Sequence, residues 1–166
     1  MDEKIEHLKF IIGRFDNYIE STQAKANLYL ALNTAILAGI ITLLTTQKPD
    51  DRDMYVKVVL GFTALLALVS ITVTLLAITP YLKSISIKGN SMMFFEEVKN
   101  MSYEEYHDKI EKISEAKFLK DLSCQAYSLA SGLVSKYRNL MVAGRIIIAE
   151  FILLFICVIF FITKSL

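Results

Sequence analysis

Apolar side chains gather in this chain into three runs, Leu28 to Thr46, Val58 to Thr79 and Ile146 to Thr163, between stretches where charges alternate in sign. A helix needs about 20 residues to cross a hydrocarbon layer of roughly 30 Å. Each run approaches that length, and the first two hold no ionised side chain. Inside hydrocarbon every backbone N–H and C=O must find its partner within the protein, which leaves helices or a closed barrel. The runs lack the period-two alternation of barrel strands, so helices are predicted. The fold class is therefore all-α: an integral membrane protein with three transmembrane helices and a cytoplasmic helical stalk bundle.

The polar segments carry a periodicity of their own. Ile5, Leu8, Ile12, Phe15, Ile19, Thr22, Ala26 and Tyr29 alternate spacings of three and four, a heptad-like seam that enters the first apolar run without a break. One helix from about Asp2 to Thr46 is predicted, on the order of 65 Å long at 1.5 Å per residue. Leu122, Ala126, Leu129, Leu133, Tyr137 and Leu140 form a similar stripe ahead of the third run, and no proline follows Tyr81. Two stalks with facing seams result. Ser102 and Glu105 have capping-box spacing and predict a charged helix from about Tyr103 to Lys117. Tyr81 to Ser91 is the least regular stretch; its Lys88-Gly89-Asn90 turn either offers amides and a lysine to an anion such as phosphate or is a connector at the headgroups. Met92, Met93, Phe94 and Phe95 read as buried packing.

Basic residues near span ends are retained on the cytoplasmic side. Four precede the first span (Lys4, Lys9, Arg14, Lys25), ten lie between the second and third, from Lys83 to Arg145, and the other side holds Lys48, Arg52, Lys57 and Lys164. The organisation expected is residues 1–27 as a cytoplasmic N-terminal helix continuous with the first span, 28–46 and 58–79 as spans joined by an external loop at 47–57, 80–140 as a cytoplasmic helical region and 141–163 as the third span. The third span starts before Ile146 because residues 151–163 make only about 20 Å of helix. Glu150 then lies in the apolar layer with Arg145 at its edge: either a pore-lining or gating pair, or an arginine snorkelling to the interface with Glu150 paired to it or neutral. The mixed-charge N-terminus through Gln23 lacks a short apolar core with a cleavage site, so the first span is expected to be kept. Cys124 and Cys157 fall too far apart to pair.

With 166 residues, 18 basic and 17 acidic side chains and a net charge of +1, the chain has no room for a conventional active-site domain and no polyanion-binding surface; DNA and RNA are not expected partners. Glu104, His107 and Glu111 share a helical face, but a carboxylate-bridged metal bundle needs a second matching motif, so no metal site is expected. Nucleophile-elbow and dinucleotide motifs are lacking too. The reading is of a protein that is not an enzyme and needs no cofactor.

Arg14-Phe-Asp16, Thr22-Gln-Ala-Lys25-Ala26 and Leu32-Asn33-Thr-Ala-Ile-Leu37, followed later by Ser91-Met-Met-Phe94-Phe95 and Leu133-Val-Ser-Lys136-Tyr137-Arg138, resemble in order the transmembrane effectors of bacterial Pycsar antiphage systems. Gln23 stands where that family's pattern suggests an acidic residue. The resemblance implies an effector of the bacterial inner membrane that senses a cyclic pyrimidine mononucleotide, cyclic UMP or cyclic CMP, through residues 80–140 and the stalks. It then disrupts the membrane in abortive infection. The groups available near the membrane surface for phosphate and base are Arg14, Lys25, Lys88, Asn90, Ser91, Lys136, Tyr137 and Arg138, with Tyr18 or Phe95 for stacking. Three helices are too few for a wide pore, so a homo-oligomer is expected, helped by small residues at Ala31, Ala35, Ala38, Gly39, Gly61 and Ala64. The rival is a non-conducting scaffold that holds a partner on its stalk seams. A constitutive channel would need polar residues in more than one span beyond the asparagine, serine and threonines present.

Overall fold

In the computed structural model, which describes residues 2–46, 54–80 and 91–165, the chain is all-helical. The elements are α1 (Asp2–Thr46), α2 (Met54–Ile78), α3 (Phe95–Lys99), α4 (Tyr103–Glu111) and α5 (Glu115–Ser165). α1, α2 and α5 are long and apolar enough to cross a membrane. The chain divides into two compact units, Met1–Ser21 with Pro80–Ser135 and Thr22–Thr79 with Lys136–Leu166, here units 1 and 2. α1 and α5 each contribute to both.

In unit 1 the seam anticipated on α1 is present: Ile5, Leu8, Ile12, Phe15 and Ile19 are half-buried and their neighbours exposed. Leu122, Ala126 and Leu133 of α5 are buried in the same unit. Ser102 caps α4 by accepting from the Glu105 N–H at 3.1 Å. The charged helix stops at Glu111, however, and does not reach Lys117. Ser114 begins α5, its carbonyl taking the Lys117 and Phe118 N–H groups and its hydroxyl the Lys117 N–H at 3.4 Å. A serine ahead of Glu115 is a helix-start signal stronger than the Glu and Lys spacing that suggested continuity. The Met92–Phe95 run is split: Met92 is buried, Met93 and Phe94 half-buried, and Phe95 exposed.

In unit 2 the buried positions of α2 (Val56, Leu60, Thr63, Ala67, Ser70, Thr74, Ala77) keep alternating steps of four and three, and those of α1 (Thr22, Ala26, Asn33, Ile36, Ile40) do so once half-buried Tyr29 is counted between Ala26 and Asn33. α5 continues the pattern with Leu140, Ala143, Ile147 and Glu150, giving a heptad-like seam on each helix. One core cluster joins Ile36, Ile40, Val56, Leu60 and Ala67; a second joins Ala26, Ala77 and Leu140. The buried alanines leave the backbones free to approach, the usual device where lipid gives no hydrophobic drive between helices. Leu28, Phe62, Leu65, Leu68 and Phe155 point outward, which suits hydrocarbon as solvent. Tyr137, placed on the α5 seam by the sequence pattern, is exposed, and the seam runs from Leu133 through Lys136 to Leu140.

Candidate functional site

Lys136 occupies a seam position where an apolar residue was anticipated because it has a helix end to serve. The last carbonyls of a helix lack intrahelical partners and carry the negative end of its dipole. The Lys136 Nζ donates to the carbonyls of Ala77, Thr79 and Ile78 at 3.1, 3.3 and 3.5 Å, pinning the end of α2 to α5. Burial of the ammonium pushes its pKa below the ordinary lysine value, and the three carbonyls offset that loss of hydration.

Next to this pin, Tyr137 turns outward and the Lys25 Nζ stands 5.7 Å from its ring centroid. A cation over an exposed aromatic face, with exposed Arg138 following on α5, provides charge for an anion and a surface for a flat ring. Of the residues proposed for ligand contact, unit 2 thus brings together Lys25, Lys136 and Tyr137, with Arg138 adjacent in sequence.

The others stand elsewhere. Arg14, in unit 1, donates from Nη2 to the Tyr18 hydroxyl at 2.7 Å, its guanidinium 6.0 Å from the Phe10 ring and 5.8 Å from the Tyr18 ring. Ser91 is buried in a turn: its Oγ accepts from the N–H groups of Met93 and Phe94 at 3.2 and 3.1 Å, and its own N–H donates to the Glu97 carboxylate. The Met92 N–H donates to Asp121 Oδ2 at 2.8 Å, and the Tyr106 hydroxyl to the Met92 carbonyl at 3.4 Å. Ser91 therefore shapes the start of a clip onto α4 and α5. Of its anchors, Asp121 has no sequence signal beyond lying beside Leu122 of the α5 seam, and Tyr106 of α4 has none. Lys88 and Asn90 lie outside the described residues.

Within the apolar part of unit 2, Asn33 Nδ2 donates to the Tyr29 carbonyl at 2.9 Å and to Ser70 Oγ at 3.1 Å, and Ser70 Oγ donates to the Ala143 carbonyl at 3.4 Å. Thr63 and Thr74 turn their hydroxyls back to Val59 and Ser70 carbonyls. Glu150 is fully buried on the α5 seam, and neither carboxyl oxygen has a hydrogen-bond partner among the described residues. Arg145 is exposed, and no ion pair joins it to Glu150, so the pairing reading of the two is not realised. An apolar cleft of about 620 Å³ lined by Ile36, Ile40, Leu60, Phe151, Leu154 and Cys157, among others, offers no group to a charged ligand. In unit 1, His107 Nε2 lies 3.5 Å from Glu111 Oε1, and among the described residues no three potential ligands cluster around a metal position.

The family described as Pycsar effector protein domain matches the chain over residues 7–163. No curated protein matches the chain. No solved structure matches it either.

Proposed function

Because the chain belongs to the Pycsar effector family, we propose that it senses a cyclic pyrimidine mononucleotide and responds by permeabilising the bacterial membrane that holds it. Membership makes it an antiphage defence effector with membrane helices, in a family that is not one of enzymes. The observation that carries the finer reading is the juxtaposition of Lys25, Tyr137 and Lys136. A cyclic mononucleotide has one negative charge and one flat base, the two features that the Lys25 ammonium and the exposed Tyr137 ring complement. The neighbouring residue is the pin on α2. A ligand that draws Lys25 toward its phosphate and lays its base on Tyr137 alters the surroundings of that pin. It shifts the helices only by its differential affinity for the two arrangements.

In this reading the N-terminus and residues 80–140 are cytoplasmic, as the distribution of basic residues indicates. The permeable state is a homo-oligomer. Arg138 is the second cation available to the ligand, and Arg145 and Glu150 act in opening. The test is dye leakage from proteoliposomes of the full chain titrated with cyclic UMP and cyclic CMP, with purine cyclic mononucleotides as controls. Leakage with a pyrimidine ligand, lost in Lys25→Ala and Tyr137→Ala, is expected. Silence with every nucleotide from correctly inserted protein overturns the reading in favour of a non-conducting scaffold.

A further inference from the structure

Arg145 stands in the third span with no carboxylate to balance it. It is exposed, and so are Met141, Val142, Ile148 and Ala149, its neighbours three and four places before and after on the surface of α5. Among the described residues it makes no ion pair and no hydrogen bond. The one acidic side chain among the described residues of unit 2 is Glu150. That carboxyl is fully buried, and five places along the helix puts it about 140° round the axis from Arg145. A guanidinium stays charged, and an exposed apolar face at this depth meets hydrocarbon, so Arg145 needs a partner from outside the chain.

The second observation is the position of the next cation. Arg138 is also exposed and also without an ion pair or hydrogen bond among the described residues. It precedes Arg145 by two turns, which places both arginines on one face of α5, about 20° apart and roughly 10.5 Å apart along the axis. Met141 and Val142 lie between them in sequence. The level of Arg138 follows from Lys136, whose ammonium holds the Ala77, Ile78 and Thr79 carbonyls where α2 ends; this is the rim of the apolar layer. Side chains leave a helix toward its N-terminus, so the long Arg145 side chain, rooted inside the layer, runs back toward that rim.

We propose that Arg145, with Arg138, binds the phosphodiester of an anionic phospholipid in the leaflet at the Lys136 end of unit 2. A phosphodiester monoanion also reaches the protein free from water, as a cyclic nucleotide does. The lipid is the source that fits, because Arg145 is ringed by exposed Met141, Val142, Ile148 and Ala149, which take acyl chains and not an aqueous anion. One lipid molecule brings both parts: phosphate oxygens for the planar guanidinium forks and hydrocarbon for the residues around them. An anionic headgroup fits better than a zwitterionic one, whose own ammonium already offsets its phosphate, since two guanidiniums without a carboxylate leave positive charge to be neutralised. This site goes beyond nucleotide sensing and shares only Arg138 with it.

The test reconstitutes the full chain in phosphatidylcholine vesicles with a trace of spin-labelled phosphatidylglycerol or spin-labelled phosphatidylcholine. Electron paramagnetic resonance reads the fraction of each label slowed at the protein. The slowed fraction is expected to be larger for phosphatidylglycerol, and to stay larger in about 1 M salt, where a Debye length of about 3 Å removes diffuse attraction. Arg145→Gln should lower that excess and Arg138→Gln/Arg145→Gln abolish it, while Lys9→Gln, at a cation paired with Glu6 at 2.9 Å, leaves it unchanged. Inorganic phosphate, exchanged for chloride at constant ionic strength, should not displace the lipid. No excess in the unsubstituted chain, an excess lost in salt, or an excess kept by the double variant overturns the proposal; displacement by inorganic phosphate overturns it in favour of a free-anion site. Where a glutamine variant fails to insert, Arg145→Lys, which keeps the charge without the fork, should lower the excess, and an unchanged excess overturns the proposal. Leakage is not read, so lipid binding and nucleotide sensing stand or fall separately.

Discussion

Asn33 on α1 and Ser70 on α2 are joined by a hydrogen bond of 3.1 Å, and Ser70 passes the connection to the α5 backbone at Ala143. One short chain of donors therefore ties all three spans at a single level.

Removing that link is predicted to loosen the bundle without unfolding it. Interhelical hydrogen bonds in membranes contribute about 0.6 kcal/mol on average and up to about 1.7. Ser70→Ala should cost about 1 kcal/mol, and Asn33→Ala about 2 because a cavity adds to the lost bonds. The double variant should cost less than the sum, since both substitutions break the same bond. Unfolding in mixed micelles followed by circular dichroism checks this; strict additivity would mean that the link contributes nothing.

Lys136→Met keeps the apolar stem and deletes the three carbonyl contacts. Hydrogen bonds to a charged group contribute about 1.5–3 kcal/mol, so a loss within that range is expected, smaller for Lys136→Arg. If the pin transmits the signal, Lys136→Met raises leakage without nucleotide and shrinks the increment that nucleotide produces. Normal basal leakage from a destabilised Lys136→Met protein would confine the residue to holding α2.

Gly144 lies beneath Tyr29: a Cβ added there would meet the Tyr29 hydroxyl at 2.9 Å and the ring at 3.4 Å. Overpacking of this kind costs about 1–3 kcal/mol. Gly144→Ala should fall at the low end, because the nearest atom is the hydroxyl at the far end of the side chain, and Gly144→Val should cost more. Tyr29→Phe removes that atom and should recover part of the loss in Gly144→Ala. No rescue would place the cost in the backbone.

What the sequence disclosed and what it withheld divide by the range of the interactions. The seam from Ile5 to Tyr29 is legible because it is a local repeat, and burial follows it residue by residue through Ile19. That Lys136 also serves the end of α2 is not legible in the sequence, because the carbonyls of Ala77 to Thr79 stand nearly 60 residues away. The same distance hid the seam's passage through Lys136 and turned Tyr137 inward on paper. Asn33 and the threonines were visible as polar residues in apolar runs. Only the fold distinguishes Thr63, closed on its own helix, from Asn33, which reaches a neighbour.

Glu150 tests whether a destabilising residue has been retained for opening. A fully buried carboxyl with neither oxygen bonded among the described residues costs stability that a leucine of similar volume would not, about 1–3 kcal/mol for a buried polar group left without a hydrogen bond. Glu150→Leu is therefore predicted to raise the unfolding midpoint, and Glu150→Gln to change it little, because the amide also lacks partners. If the carboxyl is needed in the permeable state, where water can reach it, the stabilised Glu150→Leu protein will bind nucleotide and fail to leak. Leakage at the normal level from the stabilised variant would show that opening makes no use of the carboxyl. Lowered stability would show that Glu150 has a partner in the membrane that the single chain does not supply.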